Sequence, residues 1–206
     1  TLPEVKASTR AETATGYVGG YAPKRALSAT KTDSALLETP QAVTIVSRDQ
    51  ITDTGAIGTQ DALNYAAGVR SDAYGLDTRA DGVRIRGSNS DEYLDGLRKG
   101  FDYYTSSFRT DPYMLERIEV LRGPSGMLFG QGNTGGLVNL VSKRPEAETA
   151  REVGVQFGSH SRRQIQADLT GPLTEDGRWL YRVIAVGRDA DTQVDHVRDD
   201  RRLLAP

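Results

Sequence analysis

The sequence predicts an α+β domain followed by a run of antiparallel β-strands. Three stretches point there. Asp111–Pro145 reads as two strands joined by a glycine-dense crossover, Arg25–Gly68 as a strand followed by two capped helices, and Val153–Ala185 as alternating apolar and polar positions.

Thr1–Lys24 is polar, rich in Thr, Ala and Gly, and without period, so by itself it reads as a flexible tail. Ala42–Val46 is expected as a strand. Ser47-Arg48-Asp49-Gln50 is a capping box that opens a helix ended by Gly55. Thr59 is then expected to cap Gln60–Ala67, with Leu63 and Ala66 on its apolar face and Gly68 at its stop. Ser71–Gly82 is a polar loop, after which Val83–Gly87 and Tyr93–Arg98 are expected to pair across the turn Ser88–Glu92. Phe101, Tyr103, Tyr104 and Phe108 follow among polar residues with no period. In a soluble protein they would be a surface loop folded onto the core.

Asp111 and Pro112 suit the start of a short helix. Arg117–Arg122 then has strand spacing, stopped by Gly123 and Pro124, and Leu137–Val141 is a second apolar strand. So many glycines between two strands imply that backbone packs closely against backbone or against a surrounding wall. Beyond Pro145, Val153, Val155 and Phe157 alternate with Gly154, Gln156 and Gly158, and Ile165, Ala167 and Leu169 with Gln164, Gln166 and Asp168. Trp179, Tyr181, Val183 and Ala185 repeat the pattern after the turn Thr174–Gly177. These runs approach the ~9–11 residues of a tilted membrane strand, although a soluble antiparallel sheet gives the same alternation. Asp189–Asp200 reads as a charged loop and Arg201–Pro206 as the start of a further strand.

Composition excludes several classes. A net charge of -2 gives no basic surplus for nucleic acid. With no cysteine there is neither a disulfide nor a thiolate metal site. No apolar run approaches the roughly 20 residues of a spanning helix, which leaves a β-barrel open. Thr1–Lys24 lacks the pattern of a signal peptide, so the numbering is expected to begin within a mature protein. Gly130–Gly135 formally matches the dinucleotide pattern GxGxxG, but a strand is expected after it where that motif needs a helix. Ser28–Lys31 matches S-x-x-K without the partner motifs of penicillin-binding enzymes. His160 and His196 fall in loops far from other ligand-type residues, so neither is assigned to a metal.

Four stretches together resemble the plug domain of TonB-dependent outer-membrane receptors, in their ferric-siderophore branch. They are ETPQAVTIVSRDQI (Glu38–Ile51), VRIRG (Val83–Gly87), YLDGLR (Tyr93–Arg98) and Asp111–Pro145, in the family's order and spacing. The resemblance implies an α+β plug domain, a mixed small sheet with short helices, over residues 25–146. It also implies a flexible N-terminal segment over residues 1–24, and the first antiparallel strands of a truncated transmembrane β-barrel over residues 147–206. Such a barrel needs about 22 strands, so the chain is expected to be part of a longer receptor.

By the same resemblance, Leu2, Pro3, Glu4, Val5, Lys6 and Ala7 stand where the family carries its TonB box, the strand offered to TonB, which works with ExbB and ExbD in the periplasm. Arg86 and Arg122 match two plug arginines that pair with barrel glutamates. Tyr74, Asn89, Tyr103 and Tyr104 fall in the ligand-facing part; Tyr104 keeps a family tyrosine of the ferrichrome receptor, whereas Tyr74 replaces an arginine. The implied activity is TonB-coupled import of a ferric siderophore, of hydroxamate type, across the bacterial outer membrane, without enzymatic chemistry. The iron arrives chelated, so no cofactor or metal is held by the chain directly. The partners implied are TonB, the ferric siderophore and outer-membrane lipid around the full barrel, with no nucleic acid. A receptor for cobalamin, haem or a glycan is the alternative, and a dinucleotide-binding enzyme the one from another class.

Overall fold

The computed structural model describes residues 11–72, 75, 77–100 and 108–206. In chain order, its strands begin with β1 (Arg25–Ala26), β2 (Ser34–Ala35) and β3 (Ala42–Ser47). Helices α1 (Arg48–Asp53) and α2 (Thr59–Ala62) follow. Next come β4 (Val69–Arg70), β5 (Arg84–Ile85), β6 (Ser88–Asn89), β7 (Asp91–Leu94) and β8 (Leu97–Arg98). The centre of the domain is β9 (Leu115–Arg122), α3 (Gly126–Phe129) and β10 (Gly136–Ser142). Four long strands complete the chain: β11 (Ala150–Phe157), β12 (Arg163–Pro172), β13 (Leu180–Asp189) and β14 (Arg201–Ala205).

The main sheet has the order β3-β9-β10-β7-β8 and is mixed, because β10 pairs parallel to β7 while its other pairings are antiparallel. One face buries Val46, Ile118, Val120, Val138 and Leu140 against Ile51 of α1, Leu63 after α2, and Ile85 of a small sheet β4-β5-β6. The opposite face packs Leu121, Leu137 and Tyr93 against Ala29 and Phe129. β9 is therefore covered on both sides.

Local signals explain the element ends. The Ser47 hydroxyl accepts from the Gln50 amide at 3.2 Å, and Gly55 follows the helix with φ of 62°. The Asp111 carboxylate accepts from the Tyr113 amide at 3.0 Å and starts a short 3-10 turn, Pro112–Met114. α2 differs from expectation. Gly58 is its N-cap, Thr59 lies inside it, and it is four residues long. Thr59 and Gln60 are buried, so tertiary packing rather than a side-chain cap holds this turn.

The hairpins also differ. Val83–Gly87 does not pair with Tyr93–Arg98. Arg86 and Gly87, both at positive φ, form a two-residue turn, and β5 pairs with β6 across it. Asp95 and Gly96 do the same for β7 and β8. Positive φ at both central residues fits the tight-hairpin geometry that matches strand twist. The longer turn over Ser88–Glu92 is thus replaced by two short ones.

Strands β11-β12-β13-β14 form one antiparallel sheet in simple order. Its outward residues Val153, Val155, Phe157, Ile165, Trp179 and Leu204 are exposed. Gln164, Asp168, Thr170, Arg182 and Arg188 point the other way and are buried against the preceding domain. The outer face is apolar and the inner face largely polar, with Ile184 and Val186 as apolar members of the inner face, as expected of a barrel wall around a polar interior.

Candidate functional site

Arg86 and Arg122 come from different strand ends and meet at one turn. Arg122 donates through Nε and Nη2 to the Ala67 carbonyl at 2.8 and 2.5 Å, and the Arg86 amide donates to the Gly68 carbonyl at 2.9 Å. Burial lowers the pKa of the Arg122 guanidinium, and the neighbouring Arg86 charge lowers it further. Among the described residues, no carboxylate forms an ion pair with either arginine. Two cations on one turn make a receptive place for carboxylates, which a guanidinium fork can hold bidentately.

Asn89 is exposed in β6, with Arg84 as its register partner. Tyr74, Tyr103, Tyr104 and the Leu2–Ala7 box lie outside the described residues. Lys99 and Arg109, which border residues 101–107, converge on the buried carboxylate of Asp81 at 3.7 and 3.5 Å, and the Thr110 amide donates to it at 3.0 Å. Sequence reading missed Asp81. It stood in a polar loop with no periodicity to mark it.

The N-terminal segment is fastened by buried charges of β9. Glu119 accepts from the Ser28 amide at 2.9 Å and the Ser28 hydroxyl at 2.5 Å, and from the Leu27 amide at 3.2 Å. Arg117 donates to the carbonyls of Thr13, Gly16 and Arg25. Tyr17 and Tyr21 reach Asp49 and Asp53 of α1. Residues 11–24 are thereby laid against the sheet. Burial pushes the Glu119 carboxyl upward in pKa, opposed by its Ser28 hydrogen bonds.

Between the α+β domain and the long strands lies an ionic seam. Lys143 meets Asp168 at 2.8 Å, and Arg182 holds Asp168 at 2.7 Å and Glu146 at 3.1 Å. Arg48 bridges Glu146 to the buried Glu116. Burial raises the pKa of Glu116 and lowers that of Lys143, while their partners Arg48 and Asp168 oppose the shifts. Farther along, Arg188 is shared by Asp111 at 2.8 Å and Asp199 at 3.0 Å, and Asp199 is also held by Arg109 at 2.9 Å.

The glycine-rich stretch performs close packing. A Cβ on Gly136, whose φ is 135°, would collide with the Leu121 carbonyl oxygen, and one on Gly135 would stand 2.6 Å from the Ile85 carbonyl oxygen. Gly130–Gly135 leads into strand β10, so the helix N-terminus on which a dinucleotide pyrophosphate would rest is not there. Among the described residues no cluster of His, Cys, Asp and Glu could hold a metal ion.

A small mixed sheet joined by an ionic seam to antiparallel strands with an apolar outer face defines a barrel-plugging domain with the start of its barrel. The chain belongs to the TonB-dependent receptors: residues 35–137 match the model of the TonB-dependent Receptor Plug Domain. It is 36% identical to the ferrioxamine receptor of Yersinia enterocolitica over 91% of this chain and 27% of that protein. It is 32% identical to the ferrichrome outer membrane transporter/phage receptor of Escherichia coli K12, over 100% of this chain and 28% of that one. The structure of the pyoverdine outer membrane receptor of Pseudomonas aeruginosa PAO1, bound to pyoverdine, superposes with a TM-score of 0.79 at 30% identity, covering 88% of this chain and 27% of that chain. The chain thus spans about a quarter of the length of the curated relatives it matches.

Proposed function

We propose that this chain is the plug and first barrel strands of a receptor that imports a ferric siderophore of hydroxamate type across the bacterial outer membrane, driven by TonB with ExbB and ExbD. The observation that carries the reading is the plug sheet seated by polar contacts against strands whose outer face is apolar. Ferrioxamine and ferrichrome, named for the relatives above, are both ferric hydroxamates.

In this reading Arg86 and Arg122 receive glutamates of the remaining barrel. Tyr74, Asn89, Tyr103 and Tyr104 face the ligand, where a tyrosine ring packs on the chelate's apolar skirt and its hydroxyl donates to chelate oxygens. Tyrosine in place of arginine at Tyr74 favours a chelate of low charge. Leu2–Ala7 adds as a strand to a TonB sheet, main-chain hydrogen bonds supplying affinity and alternate side chains register. Iron travels as chelated cargo, and the chain contributes binding and gating without chemistry.

Uptake of labelled ferric hydroxamate, ferric catecholate, cobalamin and haem by cells carrying the full-length receptor tests the reading. Import of the hydroxamate alone is expected. Uptake of cobalamin or haem without any ferric siderophore would assign the receptor elsewhere. Val5→Pro removes a donor from the TonB ladder and is expected to abolish import while chelate binding persists. Undiminished transport in that variant would move the box away from Leu2–Ala7.

A further inference from the structure

The seam between the plug and strands β11–β13 is built differently from a sliding contact. Two alternating chains of charge cross it. The first runs Glu116, Arg48, Glu146, Arg182, Asp168, Lys143, linking α1, β9 and the residues after β10 to β12 and β13. The second runs Glu92, Lys99, Asp81, Arg109, Asp199, Arg188, Asp111, linking β7 and the residues before β9 to β13 and the loop after it. The Arg188 and Asp111 side chains are 1% and 2% exposed.

Backbone groups add to the charges. Arg182 donates to the Arg144 carbonyl at 2.7 Å, and the Glu146 amide donates to the Thr170 hydroxyl at 2.9 Å. Lys143 is itself tied to the plug body, its amide donating to the Met114 carbonyl at 3.0 Å. Tyr113 reaches Glu152 of β11 at 3.1 Å, and Ile184 and Val186 are buried on the inward face of β13. Removing one member of the buried Arg188–Asp111 pair leaves the other charge uncompensated, which is strongly unfavourable until water replaces it.

We propose that the plug's central sheet and strands β11–β13 remain joined as one unit throughout import, so that the ligand passage opens elsewhere on the plug's rim. Each chain draws its members from both sides of the seam, so parting the seam would disrupt both chains together. The proposal rests on the transport reading above.

The test uses the full-length receptor. Tyr113→Cys and Glu152→Cys place two thiols across the seam in a chain that has no cysteine of its own. Neither position is fully buried, so the double variant should fold. A short bifunctional thiosulfonate then bridges them. The bridged receptor is expected to import ferric hydroxamate at the unbridged rate. Loss of import on bridging, recovered when a reductant cleaves the bridge and with chelate binding unchanged throughout, would overturn the proposal. Absence of import before bridging counts against the transport reading instead. Hydrogen exchange then decides the seam alone. With the TonB periplasmic domain added, amides of β9 and β13 should keep equal protection, and faster exchange of β9 by itself overturns the joined unit.

Discussion

Glu119 shows how one side chain can hold a segment distant in sequence. It is buried in the central strand and receives the amides of Leu27 and Ser28 and the Ser28 hydroxyl. Glu119→Ala would leave those donors buried without an acceptor, which should destabilise the plug by about 2–4 kcal/mol. Urea unfolding of the receptor's plug, with limited proteolysis of residues 11–28, measures this; Glu119→Gln, which keeps an acceptor oxygen, should fall between the two. A second carboxylate, Glu92, is pushed by burial from its ordinary 4.5 up to about 7, against the pull of Lys99 at 2.8 Å. In that window the folded chain holds a proton that the unfolded chain releases, so stability falls as pH rises toward 7. Above it the fold must carry the buried charge. Glu92→Gln should therefore raise the plug's unfolding temperature at pH 8, with the gain disappearing near pH 5. An unchanged difference across that range would remove Glu92 from the linkage.

At the scale of elements, β9 and β10 depend on a place where no side chain fits. Gly136 opens β10 at a φ of 135°, directly against the backbone of Leu121 and Arg122. Gly136→Ala combines a forbidden backbone conformation with a collision against main chain. It should cost about 2–3 kcal/mol or more, well beyond an ordinary glycine substitution in a turn. Gly96→Ala makes a useful comparison. Gly96 also has positive φ, at 80°, but a Cβ there meets nothing, so only the conformational cost of about 1 kcal/mol applies. Thermal melts of the two variants that came out equal would contradict the close approach at Gly136.

Over the whole molecule, charge is arranged in separate places with separate tasks. The seam cluster is internally paired, and away from it the Arg122 guanidinium and the Arg86 amide converge on the Ala67–Gly68 turn. An Arg86→Ala, Arg122→Ala receptor should lose plug seating, seen as entry of large antibiotics that the outer membrane normally excludes, while each single variant shows less. If permeability and uptake match the wild type, both arginines are solvated strand ends. The apolar outer residues of β11 to β14 form a separate surface, exposed on the side away from the plug.

Periodicity and caps in the sequence determined the elements: the Ser47 N-cap, the Asp111-Pro112 start, the strands flanking the glycine stretch and the strands past Val153, with alternating burial in β13, stand in the structure. These are local signals, set by hydrogen bonds within a turn or by side chains on alternate faces. Motif order also brought Arg86 and Arg122 into view, and the structure placed both at one turn. Tertiary structure decided the rest. β9 reads as half polar, yet Arg117 and Glu119 are buried because a segment some ninety residues earlier supplies their partners. Asp95-Gly96 was expected inside one strand, yet it turns β7 back into β8, and β7 takes β10 as its parallel partner through a contact no local pattern encodes. Asp81, Asp111 and Arg188 gained their roles in the same way. An isolated charge in a sequence has no periodicity, and only the fold determines which opposite charge it meets out of water.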